Sequence, residues 1–144
     1  MKAARLRLLV ATLLMSAWLG YLGYLALGHA KPVVVSRSQL LYASYFVKAD
    51  LTFDAGNKPV ATIQIRETFG PNRVLAENID VVNLGEVRLP NNKSLSAGTY
   101  FLPLGPAGPK QFRVVSALGN DAQTKLVVYP WTPEVERQVR ELVP

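Results

Sequence analysis

The sequence has no cysteine and only one histidine, His29, among its 144 residues. Without cysteine the chain has no disulfide framework, no thiolate nucleophile and no Cys-based metal site. A zinc site would need carboxylates alone, and no acidic pair has a ligand spacing that stands out. Asp50 with Asp54, and Glu77 with Asp80, could share a calcium ion in principle, but solvated turn charges explain them better. We therefore expect no metal and no cofactor.

The sequence also lacks a recognisable catalytic constellation. A hydroxyl nucleophile needs a base and a group that orients it, and neither is readable around the serines and threonines. His29 follows a long apolar segment, where an interfacial role is favoured over that of a general base. The stretches "GTYF" and "GPAGP" are typical of turns and do not open a helix as a phosphate-binding loop would. No catalytic residue is predicted, and the chain is expected not to be an enzyme.

The excess of positive charge is small outside the N-terminus. The chain has 16 lysines and arginines against 10 acidic residues, and Lys2, Arg5 and Arg7 supply half of the net charge of +6. The rest of the chain therefore has a mildly basic surface of mixed sign, which does not favour a polyanion partner. Nucleic acid is not predicted as a partner.

One uncharged and mostly apolar run, 8–27, lies close to the N-terminus. A helix of about 20 residues spans a hydrocarbon core of about 30 Å. The run stays apolar beyond the length usual for a signal peptide, which favours a retained transmembrane helix over 8–28. The alternative is a signal sequence that is cut near Ala30. In either case the basic tail 1–7 predicts a cytoplasmic N-terminus and an extracytoplasmic domain by the positive-inside rule.

The predicted span has two distinct faces. Four small residues recur at spacings of i, i+4, i+8 and i+11, and we call them the small-residue stripe: Thr12, Ser16, Gly20 and Gly23. Such a stripe lets a second helix approach closely. Three aromatic residues are predicted to be interfacial anchors: Trp18, Tyr21 and Tyr24. An exported domain without disulfides is commoner in bacteria, so the expected location is the bacterial cytoplasmic membrane, with a periplasmic domain and a lipid bilayer around the span.

Alternating apolar and polar residues after the linker 29–38 predict a β domain over 39–130. Residues 45–53 and 61–69 are expected to form an antiparallel hairpin around the turn 54–59. Further strands are predicted over 74–84, 100–104, 112–117 and 125–129, with a short edge strand near 87–89 and a turn at 105–109. With no helix between strands, the pattern indicates a mostly antiparallel domain, either a small barrel or a sandwich.

A short C-terminal helix is predicted within the segment 131–144. Thr132 offers a capping hydroxyl, and Pro133 occupies the first helical position. Val135, Val139 and Leu142 share one face, which is expected to dock on the sheet.

The order of "YFVKADLTF", "ATIQIRETFGP", "IDVVNL", "LSAGTYFLPL" and "FRVVSA" resembles that of bacterial exported domains with an OB-like, netrin-module-like barrel. In those domains the second strand tends to end in Glu, an apolar residue and Gly, as in "ETFG" here. The chain is also similar to uncharacterised planctomycete single-pass membrane-anchored proteins that continue into a "YPWTPEV"-like tail. The resemblance covers about 44–135 and implies a fold and a membrane-anchored lifestyle, but no functional residues. The cysteine pairs of netrin modules are missing, so no inhibitor-type function is implied.

Together these features predict a non-catalytic single-pass membrane protein that is an accessory or structural subunit of a larger membrane complex. The small-residue stripe would pack against that complex, and the β domain would cover or brace it from outside. The alternative is a free-standing anchored module, or a secreted one if the chain is cut near Ala30, that binds a ligand or a protein. Such a module would use the barrel face or the long loop 85–98. The sequence names no small-molecule ligand.

Overall fold

Helix α1 (Lys2–Gly28) occupies the N-terminal part of the chain. The computed structural model describes residues 2–28, 33–71, 76–118 and 125–143, and the chain divides into two compact units, 1–32 and 33–144. Leucine and alanine, both strong helix formers, dominate α1, and it contains no proline. Its stretch Arg7–Leu25 has a mean hydropathy of 1.7, and 0% of it is buried within the structure.

This helix is long and apolar enough to cross a membrane. A signal sequence near the N-terminus can meet the same criteria of length and composition. The structure therefore confirms an apolar N-terminal helix of spanning length. The alternative cleavage site near Ala30 lies outside the described residues, and so does His29.

The described part of the second unit contains six strands and two α-helices. The strands are β1 (Tyr45–Leu51), β2 (Thr62–Phe69), β3 (Asn78–Val81), β4 (Gly98–Gly108), β5 (Gln111–Val114) and β6 (Tyr129–Pro130). The helices are α2 (Arg37–Tyr42) before β1 and α3 (Pro133–Leu142) after β6. A 3-10 turn, Leu84–Glu86, follows β3.

Five of these strands close into a barrel. They are hydrogen-bonded in the order β1-β2-β3-β5-β4, and β4 pairs in turn with β1 along the whole of that strand. β3 and β5 run parallel, and the other strand pairs are antiparallel. β6 is an extra strand on β4. The closed barrel is compatible with an OB-like barrel and decides against the sandwich that the sequence pattern left open.

The strand boundaries correct the sequence prediction in several places. β4 continues to Gly108, where a turn is predicted over 105–109, because Gly105 and Pro106 still pair with β5 and the irregularity falls between Pro106 and Gly108. Proline removes one N–H from the ladder, and a bulge accommodates that loss. β3 is much shorter than the predicted strand 74–84, of which 74–75 lie outside the described residues.

The predicted strands near the C-terminus and in the long loop are also shorter than expected. β5 ends at Val114, and the segment 125–129 contributes a bridge at Val127 and the start of β6. The predicted edge strand near 87–89 is reduced to a single bridge between Arg88 and Val127. These short pairings still position the loop beside the barrel.

Two apolar clusters hold the second unit together. The first fills the barrel and includes Val47, Leu51 and Ile63. The second lies on the outer side of β4 and β2, where Phe69 and Phe101 pack with buried residues of α3. Val135 and Val139 of α3 are fully buried, which confirms that this helix docks on the sheet. The Thr132 side chain accepts from the Val135 N–H at 3.3 Å, as a capping residue does.

Candidate functional site

The small-residue stripe lies on one exposed face of α1. At 3.6 residues per turn its four members fall within a sector about 80° wide. A Cβ atom built at Gly20 or Gly23 would meet no atom within 4 Å outside the helix's own nearby backbone. The Thr12 hydroxyl donates to the Leu8 carbonyl at 2.9 Å, which satisfies its proton within the helix. Thr12, Ser16 and Gly20 are exposed, and Gly23 is half-buried.

The three aromatic residues predicted as interfacial anchors are exposed on α1. The exposed fractions are 62% for Trp18, 54% for Tyr21 and 74% for Tyr24. The Trp18 and Tyr21 rings lie 6.2 Å apart in a tilted arrangement. Their role at a membrane boundary stays a prediction.

The segment Val33–Ser36 is hydrogen-bonded to the domain, and we call this segment with its partners the N-terminal seat. On α3, the Gln138 amide donates to the Val33 carbonyl and accepts from the Val35 N–H, both at 2.9 Å. The Ser36 N–H donates to the Tyr129 hydroxyl at 3.0 Å. The first residues described after α1 are therefore fixed to α3 and β6.

Gln39 forms the buried floor of the N-terminal seat. Its amide donates to the carbonyls of Val115 at 2.7 Å and Val127 at 2.8 Å, and its oxygen accepts from the Tyr129 hydroxyl at 2.8 Å. Burial raises the pKa of Tyr129, so its hydroxyl stays a neutral donor at physiological pH. Both amide protons and the amide oxygen of Gln39 are satisfied, as a buried amide requires.

A concave site of about 460 Å³, which we call the mouth pocket, lies at the end of the barrel where β1 ends and β4 begins. Its floor is apolar, with Leu84, Val87 and Leu95 buried and Phe53 half-buried. The volume falls within the range of about 300–1,000 Å³ that small-molecule sites occupy. The mouth pocket is therefore large enough for a small organic molecule.

Two ordered segments form the walls of the mouth pocket. In the β1–β2 turn, the Asp54 carboxylate accepts from the N–H groups of Gly56 and Lys58 at 2.9 and 2.8 Å. In the opposite wall, the Arg88 N–H donates to the Leu126 carbonyl at 2.9 Å, and the Arg88 carbonyl accepts from Val128. Hydrogen bonds fix both backbones, so the cavity is formed before any ligand arrives.

The rim of the mouth pocket is basic. Lys58 lines it from the β1–β2 turn and Arg88 from the loop after the 3-10 turn, together with the polar residues Asn57 and Ser94. Among the described residues no acidic side chain lines the pocket, and neither cation forms an ion pair with any of them. The two positive charges are therefore directed to solvent rather than neutralised within the domain.

The acidic residues considered for calcium each have a local partner. The Asp50 carboxylate accepts from the Thr99 hydroxyl at 2.6 Å and from Arg66 at 2.7 Å, and these contacts hold the pKa of Asp50 below its usual value. Asp80 accepts from the Thr62 hydroxyl at 2.7 Å. In the described ranges, no group of three or more His, Cys, Asp or Glu residues could hold a metal ion.

Comparisons of the chain with protein families, with curated proteins and with solved structures find no match. The class of this protein is therefore defined by its fold alone. It has an apolar N-terminal helix of spanning length, followed by a small closed β-barrel with an extra strand.

Sequence reasoning identified one wall of the mouth pocket and missed the other. The length of the loop 85–98 predicts a functional role for it, and this loop supplies Gly85, Arg88 and Ser94. Phe53 and Lys58 belong to a turn whose Asp, Gly and Asn residues are sufficient to explain a plain hairpin connection. Gln39, inside the apolar context "QLL", was a signal for the N-terminal seat, because an isolated amide between apolar residues needs buried partners.

Proposed function

We propose that this chain is a non-catalytic single-pass membrane protein, anchored in a bacterial cytoplasmic membrane by α1, with its barrel outside. We further propose that it is an accessory or structural subunit of a larger membrane complex. The observation that carries the proposal is the apolar surface of Arg7–Leu25, none of which is buried within the structure. Apolar surface of this extent needs a non-aqueous environment, and a bilayer supplies it. The basic residues before it favour a cytoplasmic N-terminus.

The small-residue stripe supports association of α1 with a partner helix. In lipid, helices associate by close van der Waals packing rather than by the hydrophobic effect, so small side chains at the contact are favoured. The open space around Gly20 and Gly23 leaves room for a partner backbone. Bulky Trp18 and Tyr21 lie on another face of the helix and would not obstruct it.

The N-terminal seat supports a short tether. Because Val33 and Val35 are bonded to Gln138, only residues 29–32 connect the two fixed segments of the chain. Five peptide steps reach at most about 17 Å. A domain on such a tether would stay near the bilayer surface, which suits bracing a membrane partner.

Extraction of the protein from its native membrane in mild detergent tests this proposal. The particle would be sized, and mass spectrometry would identify its companions and its own N-terminus. We expect a large particle that contains Met1 and reproducible companion subunits. A small particle that begins near Lys31 would contradict the proposal and would identify α1 as a cleaved signal.

A pair of substitutions in α1 tests the small-residue stripe itself. Gly20→Leu should abolish copurification of the companions, because the added side chain separates the helices. The change also favours the helix by about 0.8–1 kcal/mol, so loss of α1 would not explain the result. Ala11→Leu, on the opposite side of the helix, is the matched control and should copurify normally. If the companions copurify equally with both variants, packing through the small-residue stripe is refuted.

A second candidate function is that of an anchored module that binds a soluble ligand. The observation that favours it is the mouth pocket, which has a preformed cavity of about 460 Å³ with an apolar floor and polar rim. The discriminating result is a small particle without companions whose barrel binds a small molecule.

A further inference from the structure

We propose that the mouth pocket binds a small organic anion, with one carboxylate or phosphate group and a short apolar or aromatic part. This inference rests on the second candidate function, because it names the ligand class for the same site. It is carried by three features of the pocket: its unpaired cations, its apolar floor and its fixed walls.

The cations select the charge of the ligand. Lys58 and Arg88 line the cavity from two different loops, and among the described residues no acidic side chain lines it. The nearest acid in the first wall, Asp54, is already engaged by the backbone N–H groups of its own turn. An arginine presents a planar fork of donors that suits a carboxylate or phosphate, and a lysine adds a second point charge. An anionic group is therefore the complement of this rim.

The floor selects the rest of the ligand. Phe53 and Pro59 line the cavity and are only half-buried, so they leave apolar surface open to a ligand, and Phe53 packs on the core cluster that includes the buried Leu84 and Val87. Covering such a surface with an apolar group removes water from it favourably. An inorganic anion would use only the rim, and a neutral apolar molecule would use only the floor. A ligand that has both parts uses the whole cavity.

The walls lower the cost of binding. The β1–β2 turn is held by the Asp54 carboxylate, and the other wall is paired in backbone hydrogen bonds on both sides of Arg88. A site that is already ordered loses little conformational entropy when it is occupied.

Calorimetric titration of the full chain in lipid nanodiscs tests the proposal, with empty nanodiscs as the reference. The probe is phenyl phosphate, and inorganic phosphate and benzyl alcohol each carry one half of its chemistry. We expect phenyl phosphate to bind at least roughly tenfold more tightly than either partial probe, since only it contacts both rim and floor. Phosphate binding as tight as that of phenyl phosphate would overturn the apolar part of the proposal.

Substitutions at the rim test the role of the cations. Lys58→Met and Arg88→Met should each weaken phenyl phosphate binding by roughly threefold to tenfold, as expected for partly exposed charge-assisted contacts. Lys110→Met is the matched control: it removes one positive charge beyond the opposite end of β4, and it should leave affinity unchanged. Equal weakening by Lys110→Met would show attraction to a generally basic surface and would overturn the proposal.

Obstruction of the cavity separates failure of the ligand class from failure of the binding function. Gly85 lines the pocket, and a Cβ atom built there meets nothing within 4 Å, so Gly85→Trp adds a bulky side chain at the cavity without a clash at its Cβ atom. It should abolish phenyl phosphate binding while the unfolding transition is preserved. If benzyl alcohol binds as tightly as phenyl phosphate and Gly85→Trp blocks it, the anion class is wrong and the binding function stands. If no probe binds at millimolar concentration, both are wrong.

Discussion

The two units of the chain use their apolar residues in opposite ways. In the second unit, Phe101, Leu102 and Leu104 of β4 are all completely buried. In α1, Leu13 and Leu14 are 71% and 67% exposed. Burial of apolar surface is the main favourable term in folding, so the second unit carries its own source of stability. Within the described part of the chain, the apolar surface of α1 is left exposed.

The largest effect expected from this contrast comes from equivalent truncations in the two units. Phe101→Ala should lower the free energy of unfolding of the domain by about 3–5 kcal/mol, because a fully buried ring is replaced by a cavity. Leu14→Ala in α1 should leave domain unfolding unchanged. Urea denaturation of the full chain in detergent, followed by near-UV circular dichroism, measures both. Loss of domain stability in Leu14→Ala would contradict the contrast between the two units.

The next effect concerns the buried amide of the N-terminal seat. Gln39→Met keeps the side-chain length but leaves two buried carbonyls without a donor and Tyr129 without an acceptor. We expect a loss of about 2–3 kcal/mol in the same denaturation experiment. Gln111→Met, at an exposed position of β5, is the matched control and should change stability little. Equal stability of the two variants would show that the seat is not an integral part of the domain.

A smaller, pH-dependent effect is expected at Asp50. Its pKa is lowered first by the Thr99 hydroxyl and then by Arg66, so the contribution is present above the unfolded pKa of about 3.9 and is lost as pH falls through the lower folded pKa. Asp50→Asn should cost about 1–2 kcal/mol at pH 7. The difference in free energy of unfolding between wild type and variant should shrink as the pH falls below about 4. A gap that is constant with pH would refute this account.

The smallest effect sharpens the difference between the helices α1 and α3. α3 is short and is stabilised by docking and by its cap, so Thr132→Ala should cost about 0.5–1 kcal/mol. Thr12→Ala in α1 removes only a bond to the helix's own backbone and should have no effect on domain unfolding. Thermal unfolding monitored by circular dichroism compares the two. A larger loss from Thr12→Ala would contradict the independence of the domain.

Local patterns were enough to predict much of this fold. The period-2 alternation in β1 follows from one face packing inside the barrel, and the Thr132-Pro133 pair marks the start of α3. In β2 the alternation predicts the same face for Ile63 and Phe69, but a register shift at Arg66 places Phe69 in the outer cluster. Closure of the barrel is harder to predict from the sequence, because the parallel pairing of β3 with β5 joins segments that are distant along the chain. The continuation of β4 through Pro106 depends on its partner strand rather than on local propensity. α2 has only six residues, which is too few for a periodic signal.

The candidate sites were predictable only in part. The small-residue stripe is a matter of helical spacing, which the sequence contains in full. The mouth pocket joins Lys58 to Arg88 across the barrel end, and no local pattern specifies that meeting. Gln138 has the same difficulty, since its partners Val33 and Val35 lie more than 100 residues away.

The pairing of Gln138 with Val33 and Val35 has a mechanical consequence. The side-chain amide bonds one carbonyl and one N–H of the same strand-like segment, as a neighbouring strand would. Tension applied to the chain from its N-terminal side would therefore load the C-terminal helix before it reached the barrel. Under force, the two hydrogen bonds to Gln138 should break before the sheet ruptures, so the C-terminal helix would bear the first part of the load.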